Sequence, residues 1–208
     1  METLKENDSD MSGCRFYRNN VDSDGYRYPD SDESYRFVTS PEGFMERLYN
    51  DFGVFCTVWG KLYKREVIVK EMFSKIKFAE DARVMRGIAF RCKKIAYIPD
   101  PLYMYRDRPG SMMTAQRVYS LDNQKERMYW LDEDIEFYKS INNNRLQAVA
   151  EKAYCFNIYS DWKYFDKECK EYYRPRYFKA MRHMIVNKGN SFAAKCKYIA
   201  FGFKMLLG

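Results

Sequence analysis

"EDARVMRGIAFRCKKIAYIPDPLYMYR", residues 80–106, changes its period halfway. Val84, Met85, Ile88, Ala89 and Cys92 recur at three- and four-residue spacing, which predicts a helix over 80–93 with one apolar stripe. Further on, Leu102 and Met104 alternate with Tyr103 and Tyr105, the period of a strand. Pro99-Asp100-Pro101 predicts a break there into a pair of strands. A helix feeding straight into strands places the chain in the α/β class. Two acids, Glu80 and Asp81, stand before a helix that otherwise carries basic and apolar residues. Helix capping is one reason for them, and a catalytic carboxylate is another.

Upstream, "METLKENDSD" reads as the end of a helix running into a loop. "MSGCRFYRNN", "VDSDG" and "YRYPD" read as a strand, a turn at Asp24-Gly25 and a return strand. Ser40 and Pro41 open a second helix, burying Phe44, Met45 and Leu48. "FGVFCTVWGKLYKREVIV" is apolar at first and is expected to be exposed by Lys61–Arg65. From Ser120 the pattern is helical: one helix capped by Ser120, a second at 145–165, a third from Arg174 to Gly189 and a short apolar one after Ser191. The organisation expected is a sheet-containing domain over 1–118 followed by a helical region over 119–208.

The net charge of +7 is unevenly spread, with 12 acids against 6 bases in residues 1–60. Residues 170–208 hold nine Lys or Arg and one acid, Glu171, a surface suited to phosphates or anionic lipid headgroups. The six cysteines show no C-x-x-C spacing and there is one histidine, His183, so a zinc site is not expected. A core-forming chain of this size has no need of a disulfide framework, and the cysteines read as reduced thiols. His183 sits in a basic run and reads as a helix-surface residue. The opening residues are polar, unlike a signal peptide, and no apolar run reaches the roughly 20 residues that span a bilayer.

Three stretches stand in one order: "VWGKLYKRE" (58–66), "FAEDA" (78–82) and "IAYIPDPLYMYRDRPGSMM" (95–113). Together they resemble the second half of a family 2 glycosyltransferase of the GT-A group, which builds bacterial surface polysaccharides. The resemblance covers roughly residues 1–130. It implies a partial GT-A fold, an open mixed sheet with flanking helices, followed by the α-helical C-terminal region. It also implies transfer of a sugar from a nucleotide-sugar donor to a saccharide or lipid-linked acceptor. In the family the Asp of the pair is the general base, here Asp81, with Glu80 beside it. Lys61, Arg106 and Arg108 become candidate phosphate partners, the Gly110-Ser111 loop a candidate ligand cover, and Trp59 and Tyr63 candidate stacking platforms for an acceptor sugar. Without the resemblance, 106–111 reads as a solvated basic loop, and Trp59 reads equally as core.

Gly60 stands where the family usually has Asn. The family's nucleotide-binding half and its Asp-x-Asp, which holds Mg²⁺ or Mn²⁺, are expected before Met1. A divalent metal is therefore expected for the complete enzyme and none on this chain alone. Asp8-Ser9-Asp10 and Asp22-Ser23-Asp24 do not follow a buried apolar strand, and the second reads as turn chemistry. The helix N-terminus is expected to lower the pKa of Asp81. The last helix interleaves Phe192, Ile199, Phe201, Phe203, Leu206 and Leu207 with Lys195, Lys197 and Lys204, which suits either a membrane-surface anchor or docking on the protein's own core. The expected location is cytoplasmic, at the inner face of the cell membrane if the tail anchors. A non-catalytic peripheral membrane or interaction protein derived from a glycosyltransferase is the alternative reading. No nucleic-acid-binding module is recognised.

Overall fold

A long strand, β1 (Met11–Asn20), lies at the centre of a five-stranded mixed sheet. In this computed structural model the described residues are 2–20, 26–27, 36–50, 55–70, 73, 79–107, 119–187 and 190–207. The turn expected at Asp24-Gly25 and the loop residues Arg108, Gly110 and Ser111 lie outside them. The chain divides into two compact units, Met1–Arg117 and Val118–Gly208.

In the first unit a short helix α1 (Glu2–Glu6) precedes β1. One edge of β1 carries two short antiparallel partners: β2 (Tyr26–Arg27) near its end and β4 (Lys61–Tyr63) near its start. The other edge pairs in parallel with β5 (Ile95–Asp107), and β3 (Phe37–Thr39) closes the far side antiparallel to β5. The break expected at Pro99-Asp100-Pro101 does not occur, and β5 runs through both prolines as one strand. Its pairing with β1 is instead irregular: Cys14 faces Ile98, Arg15 faces Pro101 and Phe16 faces Tyr103. Extra residues on β5 absorb the prolines, which have no N–H for a regular ladder.

Two helices flank this sheet. In α2 (Pro41–Asn50), Ser40 caps through its hydroxyl, which accepts the Gly43 N–H at 3.3 Å, and Phe44, Met45, Leu48 and Tyr49 are buried. Helix α3 (Glu80–Ala89) buries Ala82, Val84, Met85, Ile88 and Ala89, the stripe read from the sequence. It stops before the expected Lys93, because the chain tightens at Phe90–Cys92 into turns that aim it into β5. Phe44, Phe55, Phe37 and Tyr97 pack ring against ring between these helices and the sheet.

Asp10 fastens the start of β1. Its carboxylate accepts the N–H groups of Lys93 at 2.6 Å and Lys94 at 3.3 Å, and the Lys64 ammonium at 2.9 Å. Burial opposes ionisation there, but those donors outweigh it and hold the carboxyl below the usual carboxylate range.

Among its described residues the second unit has four α-helices: α4 (Leu121–Ser140), α5 (Asn144–Asp161), α6 (Lys167–Val186) and α7 (Phe192–Leu207). Ser120, Asn143 and Asp166 cap the first three by accepting N–H groups three residues on. The third helix begins at Lys167, not Arg174, because Asp166 supplies a strong cap; Pro175 therefore lies inside it. Helices α4 and α6 both pack on α5 and barely on each other. Tyr138, Tyr173, Tyr177, Leu131, Leu146 and Cys155 are buried among them. All six cysteines are free thiols.

Candidate functional site

The acidic pair lies where the segment before β4 meets the start of α3. Residue 79 precedes that helix with φ 55°, ψ 29°, left-handed values that cost an alanine about 1–2 kcal/mol. Ala79 offers no side-chain cap, so its strained turn is not repaid by a capping bond. Glu80 is exposed and Asp81 half-buried. The Asp81 carboxylate accepts the backbone N–H of Val58, a residue of another segment. The bond therefore ties α3 to the chain entering β4.

Burial is the largest influence on Asp81 and raises its pKa; the neighbouring Glu80 charge adds to this, while the Val58 N–H and the Lys61 charge oppose it. The lowering expected from the helix N-terminus is thus reversed. Removal from water outweighs the helix dipole, which is worth only about 0.3–1 kcal/mol at a helix end. The result is a carboxylate more basic than one in solvent.

Lys61, expected to be exposed, turns its ammonium inward. It donates to the Thr57 carbonyl at 2.5 Å and to the Thr57 hydroxyl at 3.3 Å. Burial pulls its pKa down to about 8, against the pull of Cys56, Asp81 and Cys14. The exposed neighbour on β4 is Leu62 instead. Strand alternation explains the exchange: residue 61 faces the cluster, so residue 62 faces away. Tyr63, back on the Lys61 side, donates its hydroxyl to the Val58 carbonyl at 2.7 Å, and burial raises its pKa strongly. The Val58 peptide is therefore gripped at both ends, Asp81 on its N–H and Tyr63 on its C=O. Tyr63 thereby holds in place the residue whose N–H Asp81 accepts.

Trp59, the next residue, is half-buried and lies against β5. Its ring stacks on Tyr103 at 4.7 Å and on Tyr105 at 5.1 Å, with Phe16 edge-on at 4.8 Å. The two tyrosines share a face because they are two apart on one strand. Sequence reasoning left both out of the site, although the spacing Tyr-x-Tyr beside a stacking tryptophan was the signal available. Tyr103 keeps more than a third of its surface exposed. Arg106 lies further along β5, exposed and in register with Asn19.

Gly60 has φ +69°, where glycine and asparagine are the residues that fit most readily. Its carbonyl accepts the Cys14 N–H at 3.1 Å and the Cys14 thiol at 3.3 Å. That backbone requirement explains a glycine at this position.

The chain is similar to two bacterial glycosyltransferases. It is 28% identical over 133 residues to an uncharacterised glycosyltransferase, EpsJ, of Bacillus subtilis, covering 62% of this chain and 38% of that protein. It is 25% identical over 158 residues to the glycosyltransferase GlyA of Streptococcus pneumoniae, covering 62% of this chain and 23% of that protein. The chain thus spans well under half the length of either. No protein-family profile matches it. These similarities relate the chain to a part of proteins named glycosyltransferases.

Among the described residues no group of three or more His, Cys, Asp or Glu side chains could hold a metal ion. The described residues do not fit the metal that the resemblance implies. Asp8 and Asp10 are engaged by Lys64 and by backbone N–H groups. A cleft of about 600 Å³ lies in the helical unit, where Asp132, Glu151, Tyr154, Arg176, Lys179 and His183 are among its lining residues. His183 is not a plain surface residue: its Nδ1 pairs with the buried Glu151 carboxylate, joining α6 to α5.

Proposed function

We propose that residues 1–117 form the acceptor-side part of a family 2, GT-A glycosyltransferase domain. In this reading a sugar moves from a nucleoside diphosphate to a hydroxyl of a saccharide or lipid-linked acceptor, in surface polysaccharide synthesis. The observation that carries it is the Asp81 carboxylate, held by the N–H of Val58, the residue before the stacked Trp59, and made more basic by burial.

The reaction is a single displacement. The acceptor oxygen forms a bond to the anomeric carbon as the bond to the diphosphate oxygen breaks. The acceptor proton passes to Asp81, and the bonding electrons leave with the nucleoside diphosphate. A carboxylate accepts through about four lone-pair positions, so one N–H from Val58 leaves it able to take a proton. Raised basicity improves that transfer. Trp59, Tyr103 and Tyr105 offer flat apolar surface on which a sugar ring can rest. Arg106, with Arg108 and Ser111 of the loop that follows, is assigned to donor phosphate. Lys61 supports Asp81 electrostatically from within, and Glu80, exposed beside it, orients the acceptor.

Asp81→Asn, in the glycosyltransferase containing this chain, is expected to lower kcat by about 10²–10⁴-fold. Nucleotide-sugar affinity should barely change, because Asn keeps the Val58 bond. Wild-type turnover in the variant would remove Asp81 from the mechanism.

A further inference from the structure

Helix α7 is apolar on two opposite faces. One face is covered: Tyr198, Phe201 and Met205 are buried, and the Tyr198 carbonyl accepts the buried Tyr177 hydroxyl at 2.7 Å. At 100° per residue the other face is centred on Phe192, Cys196, Ile199, Phe203 and Leu206. Phe192 is 81% exposed, Phe203 63% and Leu206 62%. A helix packed in one core needs one apolar stripe; the second is unexplained by the fold.

The charges around that stripe are arranged in a pattern. Lys195 borders it on one side, and Lys197 and Lys204 border it on the other. The helix contains no acidic residue. The Lys197 ammonium lies 4.5 Å from the ring centre of Tyr159 and 5.7 Å from that of Phe156, both on α5. Those two rings are 40% and 50% exposed, so the apolar surface continues onto α5 beside Lys197. An exposed apolar stripe flanked by lysines, with aromatic rings at its margin, matches a helix lying in a lipid interface: the apolar groups enter the acyl boundary and the lysines reach up to headgroups. Among the described residues no helix is long and apolar enough to cross a membrane. The wider segment 170–208, with nine bases and one acid, has the sign that an anionic leaflet attracts.

We propose that the outer face of α7 is a docking site for an anionic lipid bilayer, with Phe192, Ile199, Phe203 and Leu206 inserted among the lipids. It stands on the helical unit alone and does not depend on the transfer reading. Its consequence is to hold the protein at the surface where a lipid-linked molecule would be found.

Co-sedimentation of the full chain with vesicles tests this. Phosphatidylcholine vesicles carrying phosphatidylglycerol should bind it, and vesicles of phosphatidylcholine alone should not. Lys197→Gln and Lys204→Gln should each weaken binding by roughly fivefold. Phe203→Glu with Leu206→Glu should weaken it by more than about tenfold, with the thermal melt unchanged since both side chains are exposed. A polarity-sensitive dye on Cys196, the exposed thiol of the face, should shift to the blue on anionic vesicles. Failure to sediment, or binding indifferent to the double Glu change, overturns the proposal. So does a dimer in sedimentation velocity that the same change abolishes, with no vesicle binding, since a second copy would then cover the face.

Discussion

Lys61 puts a measurable charge inside the first unit. Its pKa of about 8, against 10.5 for an ordinary lysine, means that the folded state resists holding this proton. At 1.36 kcal/mol per pH unit the gap is worth about 3 kcal/mol of destabilisation. The sign follows from proton binding. Between about pH 8 and pH 10.5 the unfolded chain binds more protons at this residue than the folded chain, so stability rises with pH. Below about pH 8 both forms are protonated and the contribution is flat. Lys61→Met removes the ammonium and keeps most of the stem. The free-energy difference between variant and wild type should therefore be steady up to about pH 8, then move in favour of wild type by about 2 kcal/mol by about pH 9.5. Taking the difference cancels the other groups that titrate in this range.

Urea unfolding followed by ¹⁹F NMR of fluorotryptophan reads this locally. Trp59 belongs to the first unit, whereas Trp130 and Trp162 belong to the second. A variant-minus-wild-type difference that does not change with pH would refute the buried charge. Asp81→Asn supplies an internal check. The Asp81 charge raises the Lys61 pKa, so its removal should shift the step to lower pH. A step that stays in place would show that the two groups do not feel each other, and the electrostatic support assigned to Lys61 would fail with it.

Gly60→Asn should change stability by less than about 0.5 kcal/mol, whereas Gly60→Val should cost more than about 1–2 kcal/mol, because φ +69° suits the first and not a β-branched residue. Equal costs for the two would mean that space, not backbone angle, selects glycine. Asp10→Asn should cost about 1–3 kcal/mol at neutral pH by weakening three donors at once. The held-down carboxyl contributes stability above its unfolded pKa of 3.8 and loses it as pH falls through its lower folded value, so wild type and variant should converge in acid; a gap that persists there would assign the loss to something other than the charge.

Periodicity made the α/β character legible, since α3 and β5 differ in apolar spacing strongly enough to be separated by eye. The caps were legible too, because Ser40 and Ser120 act within three residues of themselves. Features set by distant partners were not. The double proline in β5 reads as a strand breaker, and only the bulged pairing with β1 lets it continue. Lys61 reads as a surface lysine among Lys64 and Arg65, and the strand register that turns it inward is fixed by residues 11–13 of β1. The same limit applies to Asp81. Adjacent residues show a helix start and predict a lowered pKa; the burial that reverses the sign is a tertiary fact, and so are the Val58 N–H and Lys61 charge that oppose it from twenty or more positions away in sequence. Tyr103 and Tyr105 were visible as a strand pattern, but their partnership with Trp59 is a tertiary fact.

These distant influences converge on one carboxylate and pull against one another. A solvated Asp81 would be a poor base, and one buried without partners would be neutral and unable to accept a proton. The N–H of Val58 and the charge of Lys61 favour the ionised form, while burial and Glu80 favour the proton. On balance the carboxyl is left with a raised pKa. That balance needs the Val58 peptide to stay in place, which is the task of the Tyr63 hydroxyl on its far side. Tyr63→Phe would keep the ring and free the peptide. Its loss should therefore act through Asp81, as a fall in turnover without a matching loss of acceptor affinity, and a purely stacking tyrosine would show the reverse.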